Sequence, residues 1–293
     1  MKKLLLLSSV AGLLIFAAGC KKEKTEDNGG GSTETFLAST TPEKRKAVLE
    51  DFTGVRCGFC PDGHKRAKAI ADANPGKFFI IAVHAGGYAA PAAGWANFTT
   101  PFGTAIDRQA LPMGYPAGTV NRIVYSDLLM TSRSGAKSKI AMGRGDWANA
   151  ANRTMIMDAP VNIGAKATYN PANRELTVKV DMYYTGDESA NVNNLNIALL
   201  QNGLVSKQSG GGDNYVQDHV LRHLLTGQWG ETITEAKTVG SKVTKTVKYT
   251  VPADYNGTGV TGGGAVVIDD LEVVAFVSKG QTEILNAAKV DVE

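Results

Sequence analysis

Two cysteines three residues apart are the side chains of this sequence best suited to chemistry. Cys57 and Cys60 follow an apolar segment that ends at Phe52, and Gly54 lies between that segment and Cys57. At this spacing the two sulfurs can meet across one helical turn, and a helix N-terminus supplies N–H donors and partial positive charge that favour a thiolate. The pair can therefore exchange with other thiols, or it can form a permanent disulfide in an exported protein.

The two cysteines have different predicted roles if the pair is redox-active. We expect Cys57 to be the exposed nucleophile and Cys60 to be the buried thiol that resolves the mixed disulfide. Arg56 and the helix N-terminus should hold the thiol pKa of Cys57 below its free value of about 8.5. A structural disulfide would instead have a reduction potential below about −300 mV.

Zinc is a further alternative at this site, because cysteine and histidine are its usual ligands. Cys57, Cys60 and His64 have plausible local spacing, and His84 could complete four ligands. The sequence has no second pair of closely spaced cysteines, so we interpret His64 as a solvated helix residue. We expect neither a metal nor another cofactor.

Two short motifs farther along the chain have simpler structural explanations. Asp218-His219 and His223 would place two histidines on one helical face, but no third ligand is visible in the sequence. We interpret these histidines as packing residues. Arg144-Gly145-Asp146 spells an integrin-type tripeptide, although Asp146 is equally suited to cap a helix.

A strand, a helix and a second strand are predicted to position the cysteine pair. The strand spans residues 46–52, the helix carries Ala67 and Ile70 on one face, and Phe78–Val83 is an unbroken apolar run. A right-handed crossover would place the C-terminal ends of both strands on one rim, with Cys57 near His84. Further elements are predicted as a helix after Thr100-Pro101, a strand at Thr119–Tyr125 and a helix from Asp146 to Met155.

The pattern changes after Pro160 to alternating segments typical of β-structure. Strands are predicted at Val161–Tyr169, Glu175–Tyr184, Leu195–Leu200, Lys242–Val251 and Leu271–Val277. A helical insert is predicted at Val216–Leu225. The expected fold class is therefore an α/β thioredoxin-like domain followed by an all-β immunoglobulin-like sandwich.

The N-terminal segment is typical of a bacterial lipoprotein signal. Lys2 and Lys3 precede an apolar run to Ala18 that is too short to span a membrane. Cys20 follows Ala18-Gly19, as in a lipobox, and would become the acylated N-terminus; a plain signal peptide cut near Ala18 is the alternative. The predicted organisation is 1–19 signal peptide, 20–42 flexible tether, 43–158 thioredoxin-like domain and 159–293 β-sandwich domain.

Composition excludes two classes of protein. The chain has 31 basic and 28 acidic side chains, so charge gives no reason to expect a nucleic-acid partner. Only 3 cysteines occur in 293 residues, which rules out a framework of disulfides that holds a small fold together.

Residues 44–157 resemble the thioredoxin superfamily. The resemblance is carried by Val48-Leu49-Glu50-Asp51-Phe52, four further residues, Cys57-Gly58-Phe59-Cys60, and Tyr115-Pro116. It implies that Asp51 is a buried carboxylate that accepts the proton of Cys60, and that Tyr115-Pro116 is a cis-proline loop beside Cys57. It also implies that Phe59, Tyr115 and His84 contact the substrate.

A narrower resemblance covers nearly the whole chain. The lipobox, Cys57-Gly58-Phe59-Cys60-Pro61, Gly118–Arg122 and Asn214–Arg222 are similar to Gram-negative outer-membrane lipoproteins named for a twenty-eight-kilodalton outer-membrane protein. That family implies an outer-membrane location and a loosely described role as a surface antigen or adhesin. The function expected is thiol–disulfide exchange with protein substrates by a protein anchored to membrane lipid through Cys20. The alternative is a surface binding or adhesion protein with a structural disulfide.

Overall fold

A mixed β-sheet connects strands from both predicted parts of the chain. The structure is a computed structural model that describes residues 35–255 and 264–293, and Phe36–Glu293 forms one compact unit. The signal peptide, the tether to residue 34 and Cys20 therefore lie outside the described residues.

The elements follow one another as three helices and fifteen strands among the described residues. The helices are α1 Cys60–Ala73, α2 Pro101–Ala110 and α3 Trp147–Met155, with a 3₁₀ turn at Ile268–Asp270. The strands of the first half are β1 Ala47–Thr53, β2 Phe78–His84, β3 Ala117–Val120, β4 Leu129–Thr131, β5 Lys137–Gly143, β6 Val161–Asn170 and β7 Glu175–Tyr184. Those of the second half are β8 Asn193–Gln201, β9 Leu204–Gln208, β10 Gly212–Gln217, β11 Val220–Leu224, β12 Glu231–Thr232, β13 Lys242–Thr250, β14 Leu271–Lys279 and β15 Ile284–Asp291.

The predicted fold class is wrong, because one sheet replaces the two separate folds. Within the described residues the order is β15-β14-β8-β11-β2-β1-β3-β5-β4, with β12 beside β8. The link is β11, which pairs in parallel with β2 at Val220 and Ala82 and antiparallel with β8. A thioredoxin-like domain beside an immunoglobulin-like sandwich would not share a sheet in this way.

The predicted strand–helix–strand unit around the cysteines is correct as a local arrangement. Every residue of β1 and β2 is buried, as expected of apolar runs inside a parallel pair, and the two strands pair from Ala47 with Phe78 to Thr53 with His84. Helix α1 ends at Asn74, whose side-chain amide donates to Ile70 O over 2.9 Å.

Helices α2 and α3 also match their predictions. Thr100 Oγ1 caps α2 by accepting the backbone N–H of Gly103 over 2.8 Å. Asp146 precedes α3, but its side chain makes no capping hydrogen bond.

A second sheet of three strands, β13-β7-β6, packs against the long sheet. Their shared core contains Val178, Val180 and Met182 of β7 together with Ile197 and Leu199 of β8. The strands predicted after Pro160 are therefore present, although the immunoglobulin-like description does not hold.

Two predicted elements are wrong where long-range pairing decides the backbone. The helical insert at Val216–Leu225 is the end of β10, a turn at His219 with φ 57°, and β11. The strand predicted over Thr119–Tyr125 stops at Val120, because Asn121 has a φ of 50° and its side chain accepts Val48 N–H over 2.6 Å.

Among residues 35–255 and 264–293, we find no helix with both the length and the apolar character needed to cross a membrane.

Candidate functional site

Cys57 and Cys60 form a disulfide at the point where β1 leads into α1. Their Cα atoms are 5.4 Å apart, and Cys60 is the first residue of α1. The connecting loop is held by Cys57 N–H donating to Gly54 O over 2.9 Å. Gly54 is required here, because a Cβ would overlap the backbone of Tyr88.

Both sulfur-bearing residues are buried. Cys57 is 2% exposed and Cys60 0%, so the expectation of an exposed Cys57 is wrong. Phe59 between them is 71% exposed, which leaves an aromatic ring in solvent directly beside the closed disulfide.

The hairpin formed by β9 and β10, residues 204–217, covers the cysteine loop. Gln208 Nε2 donates to Cys57 O over 3.0 Å and to Gly54 O over 3.2 Å. Ser209 N–H donates to Val55 O over 2.8 Å. Gly210 lies so close to the backbone of Gly58 that no Cβ would fit. The hairpin therefore packs on the loop that carries the disulfide, and nothing in the sequence near Cys57 predicts a contact 151 residues away.

Asp51 is a buried carboxyl group at the same end of β1. It is 1% exposed, and neither carboxylate oxygen has a hydrogen-bond partner among the described residues. Burial raises the pKa of Asp51 to about 8, so the group is mostly protonated at neutral pH. This agrees with the predicted burial of Asp51.

His64 connects Asp51 to the hairpin. Its Nε2 lies 3.8 Å from Asp51 Oδ2 and 2.9 Å from Thr53 Oγ1, while its Nδ1 lies 2.9 Å from Tyr215 Oη. Burial lowers the pKa of His64 to about 4, so the ring is neutral at pH 7. The interpretation of His64 as a solvated helix residue is wrong, since both ring nitrogens are engaged.

His84 lies opposite Thr53 in the β1–β2 register, on the rim predicted from the crossover. The side chain is 2% exposed and packs edge-on against Phe98 at 5.0 Å, and neither ring nitrogen has a hydrogen-bond partner among the described residues. Burial lowers the pKa of His84 to about 3. His84 is therefore enclosed by the fold, and its contact with a substrate stays a prediction.

The Tyr115-Pro116 peptide bond is cis, as predicted. A Cβ at Gly63, one turn after Cys60, would lie 3.0 Å from Pro116 Cβ, so this proline packs against α1. Tyr115 Oη donates to Asp107 Oδ1 over 2.6 Å, and burial together with this bond raises the pKa of the phenol.

A buried ion pair near the site was not expected from the sequence. Arg122 donates to both carboxylate oxygens of Glu50, with a shortest distance of 2.6 Å, and both side chains are 1% exposed. Thr119 Oγ1 also donates to Glu50 Oε2, over 2.9 Å. The sequence signal for this ion pair was Glu50, an acidic residue inside the apolar run of β1.

The two histidines considered as metal ligands, His219 and His223, contact different residues. His219 Nδ1 is 2.5 Å from Glu272 Oε1, and Glu272 also receives Lys289 Nζ over 2.7 Å. Burial raises the pKa of Glu272, but these two partners outweigh it and hold the value near 2. His223 instead stacks on Tyr249 at 4.6 Å. Among the described residues, no group of three or more suitable side chains could hold a metal ion.

Comparison with protein families decides the relationship. The family of outer membrane protein Omp28 matches residues 104–293, which is well over half of the chain. The chain belongs to the Omp28 family. It is therefore an outer-membrane protein. The match includes Tyr115, Pro116 and the hairpin, whereas Asp51 and the cysteine pair precede it.

Solved structures show what the fold resembles. HBP35 of Porphyromonas gingivalis has 22% sequence identity and a TM-score of 0.63, over 85% of this chain and 76% of that protein. A protein from Agrobacterium tumefaciens has 14% identity and a TM-score of 0.50, over 85% and 95%. A domain of the outer membrane lipoprotein Omp28 from Porphyromonas gingivalis has 23% identity but a TM-score of 0.32, over 46% and 89%. At these identities the first two show similarity of fold alone, and none of the curated proteins matches the chain.

Proposed function

We propose that this outer-membrane protein exchanges thiols and disulfides with protein substrates through Cys57 and Cys60. The observation that carries the proposal is Asp51, a carboxyl group buried without a hydrogen-bond partner on the strand that leads to the disulfide. Burying such a group is costly, and its raised pKa of about 8 suits proton transfer near neutral pH. A static disulfide has no use for this group.

The exchange conserves atoms and electrons in two steps. A substrate thiolate attacks Cys57 Sγ, the Cys57–Cys60 bond breaks, and Cys60 leaves with the electron pair and takes a proton from the Asp51 carboxyl. A second substrate thiolate then attacks the substrate sulfur of the mixed disulfide, and Cys57 leaves as a thiolate and is protonated from solvent. The substrate dithiol is oxidised to a disulfide, and the cysteine pair is reduced.

His64 and Tyr215 provide a route by which Asp51 recovers its proton. His64 stands one helical turn after Cys60, and its two ring nitrogens face Asp51 on one side and Tyr215 on the other. The neutral ring can accept a proton at Nδ1 from the Tyr215 side while releasing another from Nε2 toward Asp51. Cys57 is reached only after the hairpin lifts, so Gln208 controls when exchange begins.

The other predicted site residues have supporting roles in this proposal. Phe59 offers its exposed ring to the substrate, and Tyr115 and His84 contact the substrate only in the open state. Pro116 shapes the wall against α1. Acylation at Cys20 attaches the protein to membrane lipid.

The second candidate is a surface binding or adhesion protein with a structural disulfide. It is favoured by one specific observation, the exposure of only 2% for Cys57 and 0% for Cys60. In that case the hairpin would be a permanent part of the core rather than a cover.

A redox titration separates the two candidates. The protein is equilibrated with mixtures of reduced and oxidised glutathione at pH 7, alkylated, and analysed by mass spectrometry. We expect a reduction potential above about −300 mV and earlier alkylation of Cys57 than of Cys60. A lower potential with equal, slow alkylation of both cysteines would contradict exchange and support the second candidate.

A further inference from the structure

A long cleft runs beside α1, on the side of the molecule that carries Asp51 and Tyr215. Its volume is about 1040 Å³, within the range of sites that hold sizeable ligands. Much of its wall is apolar, from Ala67 and Ala71 of α1, Phe78 and Ile80 of β2, Ile163 of β6 and Ala287 of β15.

The backbone of β2 shows which groups face this cleft. Lys77 O accepts from Ala47 N–H, so odd-numbered residues of β2 direct their N–H and C=O groups toward β1. Ala82 N–H donates to His219 O over 2.8 Å, so even-numbered residues direct theirs to the opposite side, toward β11. The backbone N–H and C=O groups of β2 that face away from β1 therefore have β11 as their neighbouring strand.

β11 pairs with that edge of β2 only near the C-terminal end of the strand. It pairs with β2 at the single position Val220–Ala82. The N–H and C=O groups of Phe78 and Ile80 point the same way as those of Ala82, and no partner for them is found in the described parts of the chain. Phe78 and Ile80 are 4% and 6% exposed and line the cleft. Phe78 and Ile80 thus present two successive sets of unpaired backbone N–H and C=O groups inside the cleft. Buried backbone groups of this kind are rarely left unpaired.

We propose that this cleft binds an extended peptide with alternating apolar side chains, which adds as a strand to the free edge of β2. A peptide strand presents N–H and C=O groups at the two-residue repeat that Phe78 and Ile80 offer, so main-chain hydrogen bonds supply affinity. The apolar wall from α1 receives alternate side chains. No sulfur takes part, so peptide binding does not rest on the proposed exchange chemistry, although Asp51, His64 and Tyr215 line the same cleft.

Charge around the cleft does not select one sign of peptide. Four lysines line it, Lys46, Lys65, Lys68 and Lys289, together with three aspartates, Asp51, Asp72 and Asp218. One of these aspartates adds no charge at neutral pH, because burial raises the pKa of Asp51 to about 8. Three of the lysines are already paired with carboxylates, Lys46 with Glu43, Lys68 with Asp72 and Lys289 with Glu272, so the backbone edge and the apolar wall define the occupant.

The test uses the full chain and three defined probes in fluorescence anisotropy. The first probe is a fluorescein-labelled nine-residue peptide of alternating valine and glutamate. The second carries lysine in place of glutamate, and the third has the glutamate sequence with alternate amides N-methylated. Two variants are compared: Ala71→Trp fills the cleft, whereas Ala69→Trp adds the same ring at an exposed position of α1 that does not line the cleft.

We expect the glutamate peptide to bind wild type and Ala69→Trp alike, and Ala71→Trp at least about tenfold more weakly. The N-methylated peptide should lose at least about tenfold on unaltered wild type, which needs no variant to fold. The lysine peptide should bind with similar affinity, and its failure to bind would overturn a site built on the backbone edge and the apolar wall. Absence of binding by the glutamate peptide, or binding that Ala71→Trp leaves unchanged, would overturn the site. Binding of a fluorescent fatty acid without any peptide binding would instead assign the cleft to an acyl chain.

Discussion

At the scale of single residues, Asp51 gives the chain a distinctive dependence of stability on pH. Its pKa is about 8 in the folded state because of burial, and about 3.9 in the unfolded chain. The folded state therefore binds more protons than the unfolded state between pH 4 and pH 8. Stability from this group is fully present below about pH 4 and is lost as pH rises through about 8.

Replacement of Asp51 by Asn should remove this loss. At pH 8 we expect Asp51→Asn to raise the free energy of unfolding by on the order of 2–5 kcal/mol over wild type, with a much smaller difference at pH 4. Urea unfolding with the disulfide intact measures both values. Asp72→Asn, at an exposed position of the same region, is the control and should show no such pH-dependent gain. A gain of equal size at both pH values would contradict the assigned pKa.

His64 is expected to affect the rate of exchange rather than its equilibrium. His64→Gln retains a polar group near Thr53 and Tyr215 but cannot carry a proton to Asp51. Reduction of the disulfide by dithiothreitol at pH 7 should slow by about tenfold or more, while the reduction potential changes little. The rate is measured from pH 5 to pH 9 by alkylating samples withdrawn during the reduction. A profile parallel to that of wild type would remove His64 from the proton route.

The residues of this site differ in how far the sequence predicts them. Cys57 and Cys60 are three residues apart, so their spacing alone indicates that the two sulfurs can meet. The burial of Asp51 was implied by the resemblance to thioredoxins and not by spacing. Tyr215 is 151 residues from His64, and Gln208 is equally far from Cys57. Contacts of that kind depend on the folding of the whole chain and leave no local pattern.

At the scale of elements, we propose that the β9–β10 hairpin controls access to the disulfide. Its polar contacts with the cysteine loop are made by the Gln208 side chain and Ser209 N–H, and Leu204 packs in one apolar cluster with Val55. Gln217 Nε2 donates to Gln208 Oε1 over 2.8 Å and so fixes the Gln208 amide in place. Few polar contacts hold the hairpin against the loop, so their removal should favour opening.

Gln208→Ala should make Cys57 more accessible. Loss of about 1–2 kcal/mol of hydrogen bonding corresponds to a 5- to 30-fold increase in the open population. We expect the rate of reduction by dithiothreitol to rise by about that factor. Gln228→Ala, which removes a side-chain bond to Phe102 O elsewhere in the fold, is the matched control and should leave the rate unchanged. An unchanged rate in Gln208→Ala would show that the hairpin does not limit access.

Local signals predict some elements and long-range pairing sets others. Thr100-Pro101 supplies both a cap and a first helical position, so α2 was predictable. β11 carries apolar residues whose spacing also suits a helix. It becomes a strand because β2 and β8 both pair with it, which no window around Val220 shows.

At the scale of the whole molecule, we propose that attachment to the outer membrane depends on Cys20, which lies outside the described residues. Cys20→Ser should move the protein from the membrane fraction to the soluble fraction, because two or more acyl chains are what hold such a protein stably. Fractionation and immunoblotting measure this. Cys57→Ser should stay in the membrane and serves as the control. Retention of Cys20→Ser in membranes would contradict the anchor.

The continuous sheet also explains why the fold class was predicted wrongly. The change of pattern at Pro160 is real, but β8, β11 and β14 join β2 in one sheet across it. Periodicity reports which face of a strand is buried and not which strand lies beside it.

The central claim is tested most directly by turnover on a protein disulfide. Insulin reduction driven by dithiothreitol is followed by turbidity for wild type, Cys57→Ser and Asp51→Asn, with Asp72→Asn as the control. The account predicts that wild type and Asp72→Asn accelerate the reaction, that Cys57→Ser is inactive, and that Asp51→Asn is slower by about tenfold or more at pH 7. A wild-type rate no faster than dithiothreitol alone, with the disulfide still intact, would contradict it.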